Sequence, residues 1–207
     1  MARRRRSSQP RISWMTDEAE AGLNRGSSGT LASTSEVGWT PIDPLESVGT
    51  GRSFVSGEPS GDRLRVRYYR RERDGVLVGR IWFGPGAEGP PGHAHGGSMA
   101  AVLDEAMGAG AWLAGHAVVA AKLTINFRRM LPLENEVLLE TWVERVDGKK
   151  VMTRGRLFDR EGEPYAEGEG LFIMIGGERF GTLLERASKT LDKALGKPTK
   201  KREPGDV

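Results

Sequence analysis

The residues best suited to chemistry lie in one stretch, Pro90-Pro91-Gly92-His93-Ala94-His95-Gly96-Gly97-Ser98-Met99, with Asp104 a short distance beyond it. Gly96 and Gly97 carry no side chains to hold a ligand away from the backbone, and they open an apolar run with helical spacing. The first N–H groups of a helix have no partner inside it. Amides here can therefore point at the negative charge that develops on a reacting carbonyl oxygen and form an oxyanion hole. Asp104 supplies a carboxylate for nucleophilic or general-base work at the same centre. His95 reads as the group that orients the loop or the carbonyl, because no second residue is identifiable that would make it a base. Together these residues suit acyl transfer through a tetrahedral intermediate.

The element that must position them is the segment after Gly97. Met99, Val102, Leu103, Ala106, Met107, Trp112 and Leu113 recur with almost no charge between them, which predicts a helix buried on most of its circumference and ending near Gly115. Asp104 and Glu105 interrupt the run. Adjacent helical positions point about 100° apart, so at most one of the two acids faces a given cleft. Asp104 shares its face with Gly97, Ala100, Ala101, Gly108 and Ala111, small residues that let a ligand or a second backbone come close.

The ordered set His95, Gly96, Gly97, apolar helix and Asp104 resembles the hot-dog-fold acyl-CoA thioesterases of the PaaI/THEM kind, over roughly Leu64 to Ile175. The resemblance implies an antiparallel β-sheet wrapped around a central α-helix, with Asp104 as the catalytic carboxylate and the Gly96 or Gly97 amide polarising a thioester carbonyl. It also implies that the strand end Phe127-Arg128-Arg129 and the turn residues Lys149 and Lys150 hold the nucleotide of coenzyme A, with Lys122 assisting. The chain departs from the pattern at Ala120, where long-chain THEM relatives have threonine, and at Gly89, where many PaaI-like enzymes have asparagine. Thr124, on the Ala120 face by simple alternation, and His93, beside the glycine loop, are the available substitutes. Asp104 either attacks the carbonyl directly or activates water. Two further readings are an acyl-CoA-binding or regulatory module with little or no turnover, and a hot-dog dehydratase.

Helix geometry makes a separate demand. Gly96 and Asp104 are separated by about 12 Å along one helix, whereas a reacting carbonyl lies about 3 Å from both of its catalytic groups. The simplest arrangement is a homodimer in which Asp104 of one subunit faces the glycine amide of the other, alone or as a dimer of dimers.

The remaining chain supplies the α+β scaffold. Residues 1–60 read as a largely disordered or extended arm in which Trp39 and Ile42 can dock on the domain; residues 61–177 form the domain; residues 178–207 carry an amphipathic C-terminal helix and a basic tail. Alternating apolar residues predict strands over 64–69, 76–83, 119–127, 137–143, 151–158 and 166–175, with turns at Asp74-Gly75, Asp147-Gly148 and Glu161-Gly162.

With 207 residues, 37% of them hydrophobic, the chain is long enough for one well-packed domain with tails. The absence of cysteine excludes disulfides and thiol catalysis and fits a cytoplasmic setting. No apolar run is long enough to span a membrane. The basic clusters lack a nucleic-acid-reading motif, and the three histidines lack further ligands at metal-binding spacing. No metal or cofactor is expected beyond coenzyme A as part of the substrate, and the resemblance implies a place in fatty acid metabolism.

Overall fold

The computed structural model describes Leu31 and residues 36–42, 54–56, 60–177 and 181. The amphipathic helix expected after residue 178 and most of the N-terminal arm lie outside these residues. Seven antiparallel strands form one sheet: β1 (Trp39–Ile42), β2 (Leu64–Arg71), β3 (Leu77–Phe83), β4 (Val118–Phe127), β5 (Glu136–Asp147), β6 (Lys150–Phe158) and β7 (Pro164–Met174). Their spatial order is β1-β2-β3-β5-β6-β7-β4. The one long helix among the described residues, α1 (Gly96–Leu113), packs across one face of the sheet against β3 to β7.

The alternation and the turn dipeptides account for most of this. Gly75, Gly148 and Gly162 adopt positive φ in the turns that join β2 to β3, β5 to β6 and β6 to β7, a conformation in which glycine avoids the Cβ clash. The segment around Trp39 and Ile42 becomes an edge strand, with Trp39 opposite Arg71 and Ile42 opposite Tyr68. The Trp39 ring lies 5.6 Å from that of Tyr69, adding aromatic contact to the strand pairing.

Helix α1 begins at the glycine pair and stops where the chain turns left-handed. Gly115 has φ +88°; its N–H bonds to the Trp112 carbonyl and the His116 N–H to the Ala111 carbonyl. This is the paired closure that satisfies the last carbonyls of a helix. The helix buries Met99, Val102, Leu103, Ala106 and Met107 against Ile81, Phe83, Leu139, Val151, Leu157 and Phe172 of the sheet. Close approach relies on missing side chains. A Cβ on Gly155 would stand 3.1 Å from Met107 Cγ, and one on Gly110 would stand 2.5 Å from Thr141 Oγ1. That hydroxyl is buried and donates to the Ala106 carbonyl at 3.2 Å, so helix and strand share a hydrogen bond at the point of contact.

Strand β4 differs from simple alternation. Its pairing with β7 shifts between Ala120 and Lys122, leaving Ala121 as an extra residue in a bulge. Ala120 pairs with the buried Phe172, and Leu123 with the buried Gly170. The helix-facing residues are therefore Val118, Ala120, Leu123, Ile125 and Phe127. Val119, Lys122, Thr124 and Asn126 face the opposite side. Thr124 is thus not on the Ala120 face: one inserted residue reverses the parity between them.

Candidate active site

His95 is the N-cap of α1. Its backbone is extended, and its ring Nδ1 accepts the Gly97 N–H at 2.9 Å. Its carbonyl takes the N–H groups of Ser98 and Met99 and the Ser98 hydroxyl, the last at 2.7 Å. With the next three amides engaged, the Gly96 N–H has no hydrogen-bond partner among the described residues. Of the two glycine amides suggested by sequence, Gly96 is the open one.

The loop preceding it is held by a dense set of bonds. His95 N–H donates to the Ala87 carbonyl at 2.8 Å, Ala94 N–H to Leu131 at 2.8 Å and Gly89 N–H to His93 at 2.9 Å. Gly92 has φ +71° and its N–H reaches Glu88 Oε1 at 2.8 Å. Gly89 lies so close to the next turn of chain that a Cβ there would be 2.7 Å from the His95 Cα. The backbone at this position excludes a side chain.

Gly96 opens onto a cavity of about 580 Å³ lined by Pro90, His93, Ala94, Gly96, Met99 and the run from Phe127 to Met130. Its walls are mainly apolar, and the Phe127 ring covers Gly96, with Cζ 3.1 Å from where a Cβ would stand. Arg128 and Arg129 stand on this wall. Arg128 pairs with Glu167 at 2.6 Å. Arg129 bonds Asp159 at 2.7 Å and the Glu163 and Pro164 carbonyls, and its guanidinium stacks 4.3 Å above the Tyr165 ring. Burial raises the Asp159 carboxyl, but the bonds from Arg129 and the Glu163 amide outweigh it and hold the group below the usual range. Arg129 thereby fastens the β6–β7 turn beneath the cavity.

Asp104 is half-buried on the middle of α1 and forms no hydrogen bond or ion pair with a described residue; burial raises its carboxyl above the usual range. Gly108, one turn further along its face, sits against Phe172, the partner of Ala120 across β7 and β4. Asp104 therefore looks toward the β4 side of the sheet and does not line the Gly96 cavity. Glu105 points elsewhere. Burial raises it as well, opposed by hydrogen bonds from Ser56, from the Tyr68 hydroxyl at 3.0 Å and from the Val55 and Ser56 backbone. It ties residues 54–56 and β2 to the helix, a role its position beside Asp104 in sequence does not disclose.

His93, Gly96, Phe127, Arg128 and Arg129 thus gather at one cavity, with His95 and Gly97 forming the helix cap beside it. Asp104, Lys122, Thr124, Lys149 and Lys150 do not join them within one chain. Lys122 and Thr124 face away from the helix. The Lys149 carbonyl accepts the Met174 N–H, and Met174 pairs with Val118. Lys149 and Lys150 thus lie at the start of β4, about 30 Å from Phe127 at strand geometry. Met99, which the sequence places beside the acyl pocket together with Met107 and Trp112, lines the cavity, and so does Met130, which sequence reasoning did not assign to the site. Among the described residues no cluster of metal-ligating side chains is present.

A single central helix held by an antiparallel sheet among the described residues is the hot-dog arrangement. Residues 91–166 match the thioesterase superfamily model. The chain is similar to the human acyl-coenzyme A thioesterase THEM5, 33% identical over 96 residues, covering 45% of this chain and 39% of the relative. It is likewise similar to bovine acyl-coenzyme A thioesterase THEM4, 35% identical over 138 residues, covering 66% and 57%. The chain thus spans between 39% and 57% of the length of these curated relatives. Among solved structures, a thioesterase superfamily protein superposes with a TM-score of 0.51 at 32% identity, covering 53% of this chain and 56% of the other. The PaaI protein of the E. coli phenylacetic acid degradation operon shares the fold, with a TM-score of 0.50 at 19% identity over 54% of this chain and 80% of its own.

Proposed function

We propose that this protein is an acyl-CoA thioesterase: an acyl-CoA and water give a free acid and coenzyme A. The observation that carries the reading is the open Gly96 amide, facing an apolar cavity at the start of a helix that bears a half-buried, unpaired Asp104. The amide donates to the thioester oxygen, and its hydrogen bond strengthens as that oxygen becomes anionic. Asp104 attacks the carbonyl or activates water. The relatives named as acyl-coenzyme A thioesterases support this class of substrate.

The site is completed across a two-fold dimer. Among the described residues β4 has a strand neighbour on one side only, β7, and it exposes Val119 at 47% of its surface. Antiparallel pairing of two β4 strands sets the helices side by side in opposite directions, so that Asp104 of one subunit approaches Gly96 of the other. The same pairing carries Lys149 and Lys150 of one subunit toward Phe127, Arg128 and Arg129 of its partner. Those cations then share the phosphates of the nucleotide.

One observation favours a second reading, an acyl-CoA-binding module with little turnover. Ala120 faces the helix with a methyl group, where the THEM resemblance implies a hydroxyl. Release of free thiol from a series running from acetyl-CoA through aryl-CoAs to palmitoyl-CoA separates the two. Hydrolysis that peaks in one chain class and collapses in Asp104→Asn supports the enzyme. Retained hydrolysis in that variant refutes the role of Asp104, and tight binding without hydrolysis of any member selects the binding module.

A further inference from the structure

The two histidines of the loop look equivalent in sequence, but their hydrogen bonds give them opposite polarity. His95 Nδ1 accepts the Gly97 N–H, so a neutral His95 ring carries its proton on Nε2 and can only donate there. His93 Nδ1 lies 2.8 Å from the Pro91 carbonyl oxygen, which can only accept. A neutral His93 ring therefore carries its proton on Nδ1, which leaves the lone pair on Nε2.

The backbone under His93 is firmly held. His93 N–H closes a turn onto the Pro90 carbonyl at 2.9 Å, with Pro91 and Gly92 at the two central positions and Gly92 at positive φ. The residue then bridges to Pro132 on the neighbouring segment. The half-buried ring lines the Gly96 cavity, and Nε2 has no partner among the described residues. The other nitrogen-bearing side chains among the lining residues, Arg128 and Arg129, are donors, as is the Gly96 amide. His93 provides the one nitrogen or oxygen side-chain acceptor among the residues that line it.

We infer that His93 is the proton acceptor of this site: its Nε2 takes a proton from the water that attacks the carbonyl held on the Gly96 amide. This rests on the thioester hydrolysis proposed above. As the water oxygen bonds to the carbonyl carbon, the carbonyl electron pair moves to oxygen and the water proton passes to Nε2. The Pro91 carbonyl, already bonded to Nδ1–H, stabilises the resulting imidazolium. Collapse of the intermediate breaks the carbon–sulfur bond, and the imidazolium returns the proton to the sulfur, releasing a carboxylic acid and a thiol. Of the groups named above, the partner subunit's Asp104 is then neither nucleophile nor base in this step; it holds the attacking water by its second hydrogen.

The test is the pH dependence of kcat/KM for wild type, His93→Gln and His93→Ala, with the acyl-CoA that the wild type hydrolyses best. The inference expects an acid limb in the wild-type profile that belongs to His93. That limb disappears in His93→Gln with a loss of about 10²- to 10⁴-fold, and added imidazole restores rate to His93→Ala. A purely structural role gives neither the change of limb nor the rescue. A limb unchanged in His93→Gln, or no rescue of His93→Ala by imidazole, overturns the inference while leaving the thioesterase reading intact. A wild type inactive on every thioester overturns both. If neither variant folds, the ring nitrogen shifts of the wild type decide, because a neutral His93 protonated on Nε2 excludes the proposed acceptor.

Discussion

The ring Nδ1 of His95 receives the Gly97 amide proton at 2.9 Å, and this bond decides which of two adjacent glycines has an amide to offer a ligand. Once Gly97 is committed to the cap, and Ser98 and Met99 to the His95 carbonyl, the Gly96 N–H is the one left without a partner among the described residues. A side-chain cap of this kind stabilises a helix by about 1 kcal/mol. His95→Ala is expected to lower the urea unfolding free energy by about that amount, and His95→Asn, which retains a capping acceptor, to recover most of it. Equal stability of the alanine variant and the wild type contradicts the capping role.

Asp104 carries a cost at neutral pH. Burial raises its folded-state titration above the usual aspartate range, so the folded protein binds this proton more tightly than the unfolded chain does. Its contribution to stability is complete in acid, below the unfolded-state value, and is lost as pH rises through the elevated folded one. Asp104→Asn removes that loss. The variant is expected to be more stable than wild type near neutrality, with the difference vanishing at low pH, in urea denaturation series from about pH 4 to 8. A difference that grows toward acid pH has the wrong sign.

A shared site predicts complementation between two dead variants. Gly96→Pro deletes the amide donor while placing proline at the first helical position, where its fixed φ is compatible with a helix start. Asp104→Asn deletes the carboxylate. Unfolded together at equal amounts and refolded, half of the dimers are mixed and each has one intact site, so activity is expected to return to about a quarter of wild type. Activity no greater than that of the separate variants places both groups in one subunit's site or rejects one of them.

Gly110 tests the contact between α1 and β5. Alanine is the better helix former by about 1 kcal/mol, but its Cβ would meet Thr141 Oγ1 at 2.5 Å and disturb the bond to the Ala106 carbonyl. Overpacking of this kind costs about 1–3 kcal/mol. The variant is therefore expected to melt below wild type, and a higher melting temperature means that strand and helix separate at little cost.

The amino-acid sequence by itself determined the elements and their chemical cast. The two-residue alternation of Val66 and Tyr68, the helical recurrence of Met99, Leu103 and Met107, and the glycine turns are local signals, because backbone period and conformational freedom reside in the residues themselves. The grouping of His95, Gly96, Gly97 and Asp104 was legible for the same reason: it lies within ten consecutive positions. Tertiary structure decided what depends on partners distant in the chain. The bulge at Ala121, set by pairing with β7, turned Thr124 away from Ala120. Residues 54–56 and Tyr68 engaged Glu105, while Asp104 remained unpaired on the flank toward β4. The Pro91 carbonyl and the Gly97 amide gave two like histidines opposite faces of the same chemistry. A side chain's type sets which hydrogen bonds it can make, but only the packed chain sets which groups lie within reach, and that choice separates the histidine that caps the helix from the one held by the Pro91 carbonyl at the cavity wall.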